Sequence, residues 1–361
     1  MEQKTILVAA GGTGGHIFPG LAIAEKLIAN GHKVIWIGTQ NGLESTLIPK
    51  NNIEIYYIKI AGFRGKNLIT KILAPFNILV AIWRSLKIIH SLNPNVVLGM
   101  GGFVAGPVGI AAWILNKKLI IHEQNSIAGS SNRILAYFAD QILESFPNSF
   151  PKTCSYKNKI SLTGLPIRQN LLNHNSLPPN KDPKILRILV LGGSRGAQFL
   201  NQTIPQALGG LSNIKILHQT GEKDFLNTCN LYQKYAQQNI YEIKPFIDNM
   251  LDTYLAVDLV ICRAGASTVF EIMFMGMPAI LIPLPWAIDD HQTKNAQYLV
   301  DNNAAILLKQ SEATIEKLQK LVVEIQSDKN KIYAIETAVK LLYMQYKEKN
   351  SADCIVGSIL A

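Results

Sequence analysis

Two short apolar runs that each end in a glycine cluster constrain this chain more than any other feature. Ile6-Leu7-Val8-Ala9-Ala10 runs into Gly11-Gly12-Thr13-Gly14-Gly15-His16, and Ile188-Leu189-Val190-Leu191 runs into Gly192-Gly193-Ser194-Arg195-Gly196-Ala197. A buried strand that ends in glycines and opens a helix aims backbone N–H groups at an anion, with the positive end of the helix dipole behind them. The arrangement occurs twice, well apart in the chain, and predicts two α/β domains facing one phosphate-bearing ligand.

The spacing disfavours two familiar phosphate sites. A Walker-type loop places four residues between its glycines and then requires Lys-Ser/Thr. Gly15 and Gly20 have that spacing, but Leu21-Ala22 follows, so the lysine for terminal phosphates is missing. A dinucleotide fingerprint needs G-x-G-x-x-G and an acid roughly 20 residues on, to hold a ribose hydroxyl. Gly12-Thr13-Gly14-Gly15-His16-Ile17 lacks the third glycine, and the next strand, Val34-Ile35-Trp36-Ile37-Gly38-Thr39, ends without an acid. Lys215-Ile216-Leu217-His218-Gln219-Thr220, after the second turn, lacks one too. A nicotinamide enzyme is therefore disfavoured. Tight turns that only connect strand to helix remain the alternative.

At 361 residues the chain is expected to form two domains of ordinary size. A hydrophobic share of 48% against 17% charged allows large cores and argues against disorder. Cys154, Cys229, Cys262 and Cys354 are scattered, which fits a reducing compartment with neither disulfide framework nor zinc site. Met1-Glu2-Gln3-Lys4 passes directly into a strand, so no signal peptide is expected. No stretch reaches the roughly 18 to 20 uninterrupted apolar residues of a membrane span. A cytosolic protein, or one bound to a membrane from the cytosolic side, is predicted. Residues 1–165 hold 16 Lys and Arg against 7 Asp and Glu, whereas residues 166–361 hold 19 against 18. Nearly all of the +10 charge lies in the first half, which suits a partner rich in phosphate: nucleic acid, anionic lipid or a pyrophosphate substrate.

Strand and helix patterns alternate along the first half. Strands are expected at 5–10, 33–38, 53–59, 96–99 and 119–121, with helices from about Pro19 to Asn30, near 42–50 and at about 68–91. A glycine loop at 62–65 precedes the long helix, and Gly101-Gly102-Phe103-Val104-Ala105-Gly106-Pro107 opens another. Residues 173–184 have the polar, proline-rich composition of a linker. The pattern restarts at 185, with strands near 185–191, 214–218, 240–243, 258–262 and 279–282, and from about Ala313 the chain reads as helices. Alternating β and α with apolar strands predicts doubly wound parallel sheets.

Open α/β sheets bind ligands beyond the carboxyl ends of their strands. The polar residues there are Thr13, His16, Gly101-Gly102 and His122-Glu123-Gln124-Asn125 in the first half. In the second they are Ser194, Phe246-Ile247-Asp248, Arg263 to Thr268 with Glu271, and Asp289-Asp290-His291-Gln292 with Asn295. Ser267 and Thr268 sit at an expected helix start, where hydroxyls and free N–H groups hold phosphate. Glu271 follows one turn on, placed to accept from ribose hydroxyls. A capping box, Ser/Thr three residues before Glu, is the competing reading. Asp289-Asp290 reads as solvated loop acids rather than half of a metal site.

Six of these segments carry a resemblance. Residues 11–20, 101–107, 122–125, 192–197, 263–271 and 290–296 resemble, in order and over nearly the whole chain, the MurG family of N-acetylglucosaminyltransferases. The family converts lipid I to lipid II in bacterial peptidoglycan synthesis. The resemblance implies a GT-B fold, two Rossmann-like domains facing a cleft. An acceptor- and membrane-binding domain is expected over 1–165, with a C-terminal helix of about 340–361 packing back on it. A UDP-sugar domain is expected over 166–339. It further implies that Thr13, Gly14, Gly15 and His16 lie near the acceptor and the diphosphate, and that Asn125 meets the transferred sugar. Arg168 and Ser194 would meet the diphosphate, as would Ala266, Ser267 and Thr268. Ile247 would hold uracil through its backbone, Glu271 the ribose and Gln292 the N-acetylglucosamine hydroxyls. Two residues depart from the pattern: Leu165 stands where Asn is expected before the proline, and Phe270 where a small residue is common.

The implied reaction is inverting transfer of N-acetylglucosamine to the muramic acid 4-hydroxyl, with UDP leaving. His16 is the candidate base, because imidazole titrates near working pH; a histidine that merely braces the glycine turn is the alternative. No cofactor and no metal are called for. Ile72, Phe76, Leu79, Val80 and Trp83 fall on one helical face, with Lys71, Arg84 and Lys87 near its ends. An ordinary core-facing helix would show the same spacing. With the basic first half and a lipid-linked acceptor, the face reads as a membrane contact through Ile72, Phe76, Leu79 and Trp83. The expected partners are UDP-N-acetylglucosamine, undecaprenyl-linked lipid I and the anionic cytoplasmic leaflet of the inner membrane. The resemblance adds cell-wall synthesis proteins to them, but not nucleic acid. The rivals are a transferase of this fold acting on another lipid such as diacylglycerol, a sugar-nucleotide 2-epimerase, and a non-catalytic recruiter.

Overall fold

The computed structural model describes residues 2–60, 68–151, 153–167, 169–172, 182–193, 196–235, 241–347 and 350–361. Two compact units divide the chain: Met1–Arg168 with Lys349–Ala361, and Gln169–Glu348.

The first unit carries a seven-stranded sheet of β1 (Thr5–Ala9), β2 (Lys33–Gly38), β3 (Glu54–Tyr57), β4 (Val96–Gly99), β5 (Lys118–Glu123), β6 (Gln141–Glu144) and β7 (Ile160–Leu162). Its order is β3-β2-β1-β4-β5-β6-β7, with every pairing parallel. Parallel strands covered on both faces read as continuous apolar runs. In β1, Leu7 and Ala9 enter the core on one face while Ile6 and Val8 enter the core on the other. The helical end of the chain divides between the units. Lys329–Lys347 stays with the second, whereas Ser351–Leu360 packs on the helix Gly14–Ala29 and adds Ile355, Val356 and Ile359 to the first core.

The second unit holds β8 (Leu186–Leu191), β9 (Ile214–Gln219), β10 (Tyr241–Lys244), β11 (Leu259–Cys262), β12 (Ala279–Leu281) and β13 (Ile306–Leu307) in the order β10-β9-β8-β11-β12-β13, again all parallel. Strand order reverses between β1 and β4 in the first sheet and between β8 and β11 in the second. At such a point the neighbouring crossovers diverge to opposite faces and leave a crevice at the strand ends. The glycine turns after β1 and β8 both stand there. Each therefore has a second strand end beside it: Gly101-Gly102 after β4, and Arg263 to Gly265 after β11.

Two expectations change. The first helix begins at Gly14, not near Pro19: Thr13 stands at the N-cap position in an extended conformation, and His16 and Ile17 already donate to its carbonyl. Pro19 is accommodated inside the helix. Strands β6, β7 and β13 extend the sheets where no strand was expected.

Gly196 is the most demanding position of the second turn. Its φ is +74°, and a Cβ there would lie 1.9 Å from the Thr220 carbonyl oxygen. Gly196→Ala is expected to destabilise the second unit by about 2–4 kcal/mol, from left-handed strain plus overpacking against backbone. A lowered urea midpoint checks this; an unchanged one would show that the turn rearranges.

Candidate active site

The first glycine turn is built over a buried acid. Glu44, fully buried, accepts from Gly12 N at 3.2 Å through Oε2, and from Thr39 N and Oγ1 at 2.9 and 2.7 Å through Oε1. This carboxylate fixes the turn from below while the first-turn N–H groups of Gly14 and Gly15, which have no intrahelical acceptor, remain for a ligand. His16 lies on the same helical turn. Its ring rests on the turn after β4, where a Cβ on Gly101 would lie 3.2 Å from Nδ1; Gly101 and Gly102 both have positive φ. Gln124 Oε1 lies 2.8 Å from His16 Nδ1. Thus β1, β4 and β5, neighbours in the sheet, bring together residues far apart in sequence.

The His122-Glu123-Gln124-Asn125 run is mostly internal. His122, Glu123 and Gln124 are buried. His122 Nε2 faces the Gly164 carbonyl at 3.2 Å, and burial pushes its pKa down to about 4, so the ring is neutral at physiological pH. Glu123 holds the following loop by accepting from Asn125 N, Gly129 N and Asn132 Nδ2 at 3.0, 3.0 and 2.8 Å. Asn125, half-buried, also donates its amide to Glu123 at 3.3 Å.

In the second unit the helix Ala266–Met275 starts at the end of β11. Its N-cap is Gly265, with no side-chain cap, so the capping-box reading of Thr268 and Glu271 does not hold. The first-turn amides of Ala266, Ser267 and Thr268 lack intrahelical acceptors, and the buried Ser267 Oγ has no hydrogen-bond partner among the described residues. Glu271, one turn on and 4% exposed, accepts from Tyr254 OH at 3.1 Å. Arg263 is buried and donates to the Ile282 and Pro283 carbonyls and to Gln310 Oε1; desolvation lowers its pKa to about 10. It ties the ends of β11 and β12 together rather than projecting at a ligand.

Ile247 N donates to Gln219 Oε1 at 2.9 Å, so in this state its N–H is occupied. Gln292 Oε1 accepts from Leu284 N at 3.0 Å, which turns its NH2 group away from that backbone. Asp289 and Asp290 both have positive φ, at 54° and 53°; consecutive left-handed non-glycine residues store strain in this loop. Arg168 and Ser194 lie outside the described residues.

On the helix Leu68–Leu92, Ala81, Ser85 and Ile89 point into the core. Phe76, Leu79 and Trp83 are 65%, 64% and 54% exposed, which overturns the core-facing reading. Lys87 Nζ lies 3.7 Å from the Trp83 ring centroid. The side chain of Ile72 lies outside the described residues. Among the described residues no helix is long and apolar enough to cross a membrane.

Family models match both halves: the glycosyltransferase family 28 N-terminal domain over residues 6–144 and the C-terminal domain over 187–353. This chain belongs to glycosyltransferase family 28.

Relatives in the family include the UDP-N-acetylglucosamine--N-acetylmuramyl-(pentapeptide) pyrophosphoryl-undecaprenol N-acetylglucosamine transferase of Cupriavidus pinatubonensis, 43% identical over 89% of each chain. The transferase of the same name from Nitrosococcus oceani is 42% identical over 94% of each chain. Among solved structures, Acinetobacter baumannii MurG matches with a TM-score of 0.81 and 36% identity over 99% of each chain. The GT-B architecture, with a parallel doubly wound sheet in each unit, is thereby established.

Sequence reasoning missed Glu44 under the first turn and Tyr254 against Glu271, and it placed Gln124 at a strand end without pairing it with His16. Glu44 carried a faint signal as a lone acid between a strand end and an apolar helix.

Proposed function

We propose that the chain moves N-acetylglucosamine from UDP-N-acetylglucosamine to the 4-hydroxyl of the N-acetylmuramyl sugar of an undecaprenyl-pyrophosphoryl acceptor. The transfer proceeds with inversion and release of UDP. The observation that carries this reading is identity of 43% and 42%, over most of the chain, with transferases so named.

In this reading the second unit holds the donor. Glu271 accepts from the ribose hydroxyls and the Ile247 backbone reads uracil, its carbonyl being the group that Gln219 leaves unengaged. The amides of Ala266, Ser267 and Thr268 and the Ser267 hydroxyl stabilise charge growing on the leaving diphosphate, with Ser194 and Arg168 assigned there by resemblance. Gln292 offers its NH2 to a sugar hydroxyl. The first unit holds the acceptor: Thr13, Gly14 and Gly15 supply polar groups, Asn125 contacts the transferred sugar, and His16 removes the hydroxyl proton. No step needs a metal or cofactor.

The enzyme works on the cytoplasmic face of the inner membrane as a peripheral protein. Three large apolar side chains exposed on one helical face, in the basic half of the chain, support insertion among anionic headgroups. Exchanging Leu79 and Trp83 together for serine is expected to weaken binding to anionic vesicles roughly 10- to 100-fold, from the lost apolar burial. Turnover of a water-soluble, short-chain acceptor should be unchanged. Cosedimentation at low salt checks this, and undiminished binding would contradict it.

Incubation of UDP-N-acetylglucosamine with the enzyme alone tests the reaction class. The donor should be recovered unchanged until the lipid-linked acceptor is added, when UDP appears in step with product. Conversion of the donor without acceptor would instead indicate the epimerase. Stoichiometric transfer to diacylglycerol would indicate the other lipid acceptor.

A further inference from the structure

His16 ends a hydrogen-bonded chain whose proton positions are decided by two backbone carbonyls. A carbonyl oxygen only accepts. His122 Nε2 lies 3.2 Å from the Gly164 carbonyl, so that nitrogen carries the ring proton and Nδ1 carries the lone pair. The ring is fully buried and neutral, its pKa pushed down to about 4 by desolvation, so it holds one proton only. The Gln124 amide nitrogen lies 3.0 Å from His122 Nδ1 and 3.2 Å from the His122 carbonyl oxygen, both of them acceptors. Its orientation is thereby set twice.

With the nitrogen so placed, Gln124 Oε1 faces His16 Nδ1 at 2.8 Å. An amide oxygen only accepts, so His16 donates from Nδ1 and its lone pair sits on Nε2. Turning the amide over would put oxygen against the His122 carbonyl and leave buried groups unpaired, an arrangement disfavoured roughly 10- to 100-fold. Gln124 is 1% exposed, so water cannot replace the lost partners.

We propose that Gln124 and, behind it, His122 are positioning residues that lock His16 in the Nδ1–H tautomer, leaving Nε2 to take the acceptor's proton. The inference rests on His16 being the base. In the step itself, the acceptor oxygen bonds to the sugar's anomeric carbon as the bond from that carbon to the UDP oxygen breaks. UDP leaves with the electron pair, and the hydroxyl proton passes to His16 Nε2. The resulting imidazolium keeps its Nδ1–H on Gln124 Oε1. A neutral amide orients the ring without adding a carboxylate beside a polyanionic substrate.

The test is the tautomer of His16 in the full-length enzyme labelled with ¹⁵N-histidine. Its signals are identified by their loss in His16→Asn. In the unsubstituted enzyme Nδ1 should be pyrrole-like and Nε2 pyridine-like; a protonated Nε2 in the neutral ring would overturn the proposal without any question of misfolding. Gln124→Met should shift the ring toward the other tautomer and lower kcat roughly 10- to 100-fold, below the losses of about 10⁴-fold seen when a tautomer is locked wrongly. The KM for UDP-N-acetylglucosamine should stay put, because Gln124 is buried and both ends of its amide are engaged by His122 and His16, so it offers no group to the donor. His122→Phe should act in the same direction but less, since the backbone carbonyl still anchors the amide. An unaltered tautomer and kcat in Gln124→Met would overturn the positioning role. Normal turnover by His16→Ala would remove the base reading instead, leaving the tautomer measurement to stand by itself.

Discussion

His16→Ala is expected to lower kcat by about 10²- to 10⁴-fold, the usual contribution of a positioned general base, with UDP affinity unchanged. The ring stands on the first turn of the helix Gly14–Ala29, backed by the Gly101-Gly102 turn and hydrogen-bonded through Nδ1 to Gln124. Its Nε2 has no hydrogen-bond partner among the described residues. A histidine that only braced the glycine turn would face that turn with its polar atoms, yet the turn is braced by Glu44. His16→Gln sharpens the comparison, because it keeps polarity and size but cannot take a proton at neutral pH. It should be as slow as the alanine variant. Calorimetric titration with UDP separates the effect from donor binding. Turnover within a few-fold of the parent enzyme would remove His16 from the base role.

Glu271→Ala carries the second large effect, and it falls on binding. The carboxylate is buried, accepts from Tyr254 OH, and lies one turn beyond the start of its helix, where the first-turn amides lack intrahelical acceptors. Hydrogen bonds to a charged group are worth about 1.5–3 kcal/mol each, so losing those to the ribose should raise the KM for UDP-N-acetylglucosamine by roughly 10²-fold or more. The kcat at saturating donor should change far less, because the ribose contact is made equally in the ground and transition states. Glu271→Gln should fall between the two, as its oxygen still accepts. A KM that stays within about threefold would show that the ribose is held elsewhere. Circular dichroism guards against reading a folding defect as lost affinity.

The strand ends were legible because strands buried on both faces are apolar without interruption, and glycine turns mark where they stop. The strands that escaped notice are short or polar. Gln141–Glu144 starts and ends on polar side chains, Ile160–Leu162 is three residues at a sheet edge, and Ile306–Leu307 is two. Thr268 and Glu271 showed the spacing of a capping box, but the N-cap is Gly265, three residues before Thr268, so the same residues occupy the helix's first turns. The site's supporting shell could not be read locally. His16 and Gln124 are separated by 108 positions and meet only because β5 lies next to β4 and β4 next to β1. Glu44 looks in sequence like an ordinary acid at a helix start. Only packing shows that it is fully buried and bonded to the glycine turn.

The most direct measurement follows labelled sugar from UDP-N-acetylglucosamine into a short-chain polyprenyl-pyrophosphoryl-N-acetylmuramyl acceptor, beside UDP-galactose and a diacylglycerol acceptor. The expected result is a labelled disaccharide lipid from the first pair alone, with a β linkage that records inversion at the anomeric carbon. An α-linked product, equal transfer from UDP-galactose, or label only in diacylglycerol would contradict it.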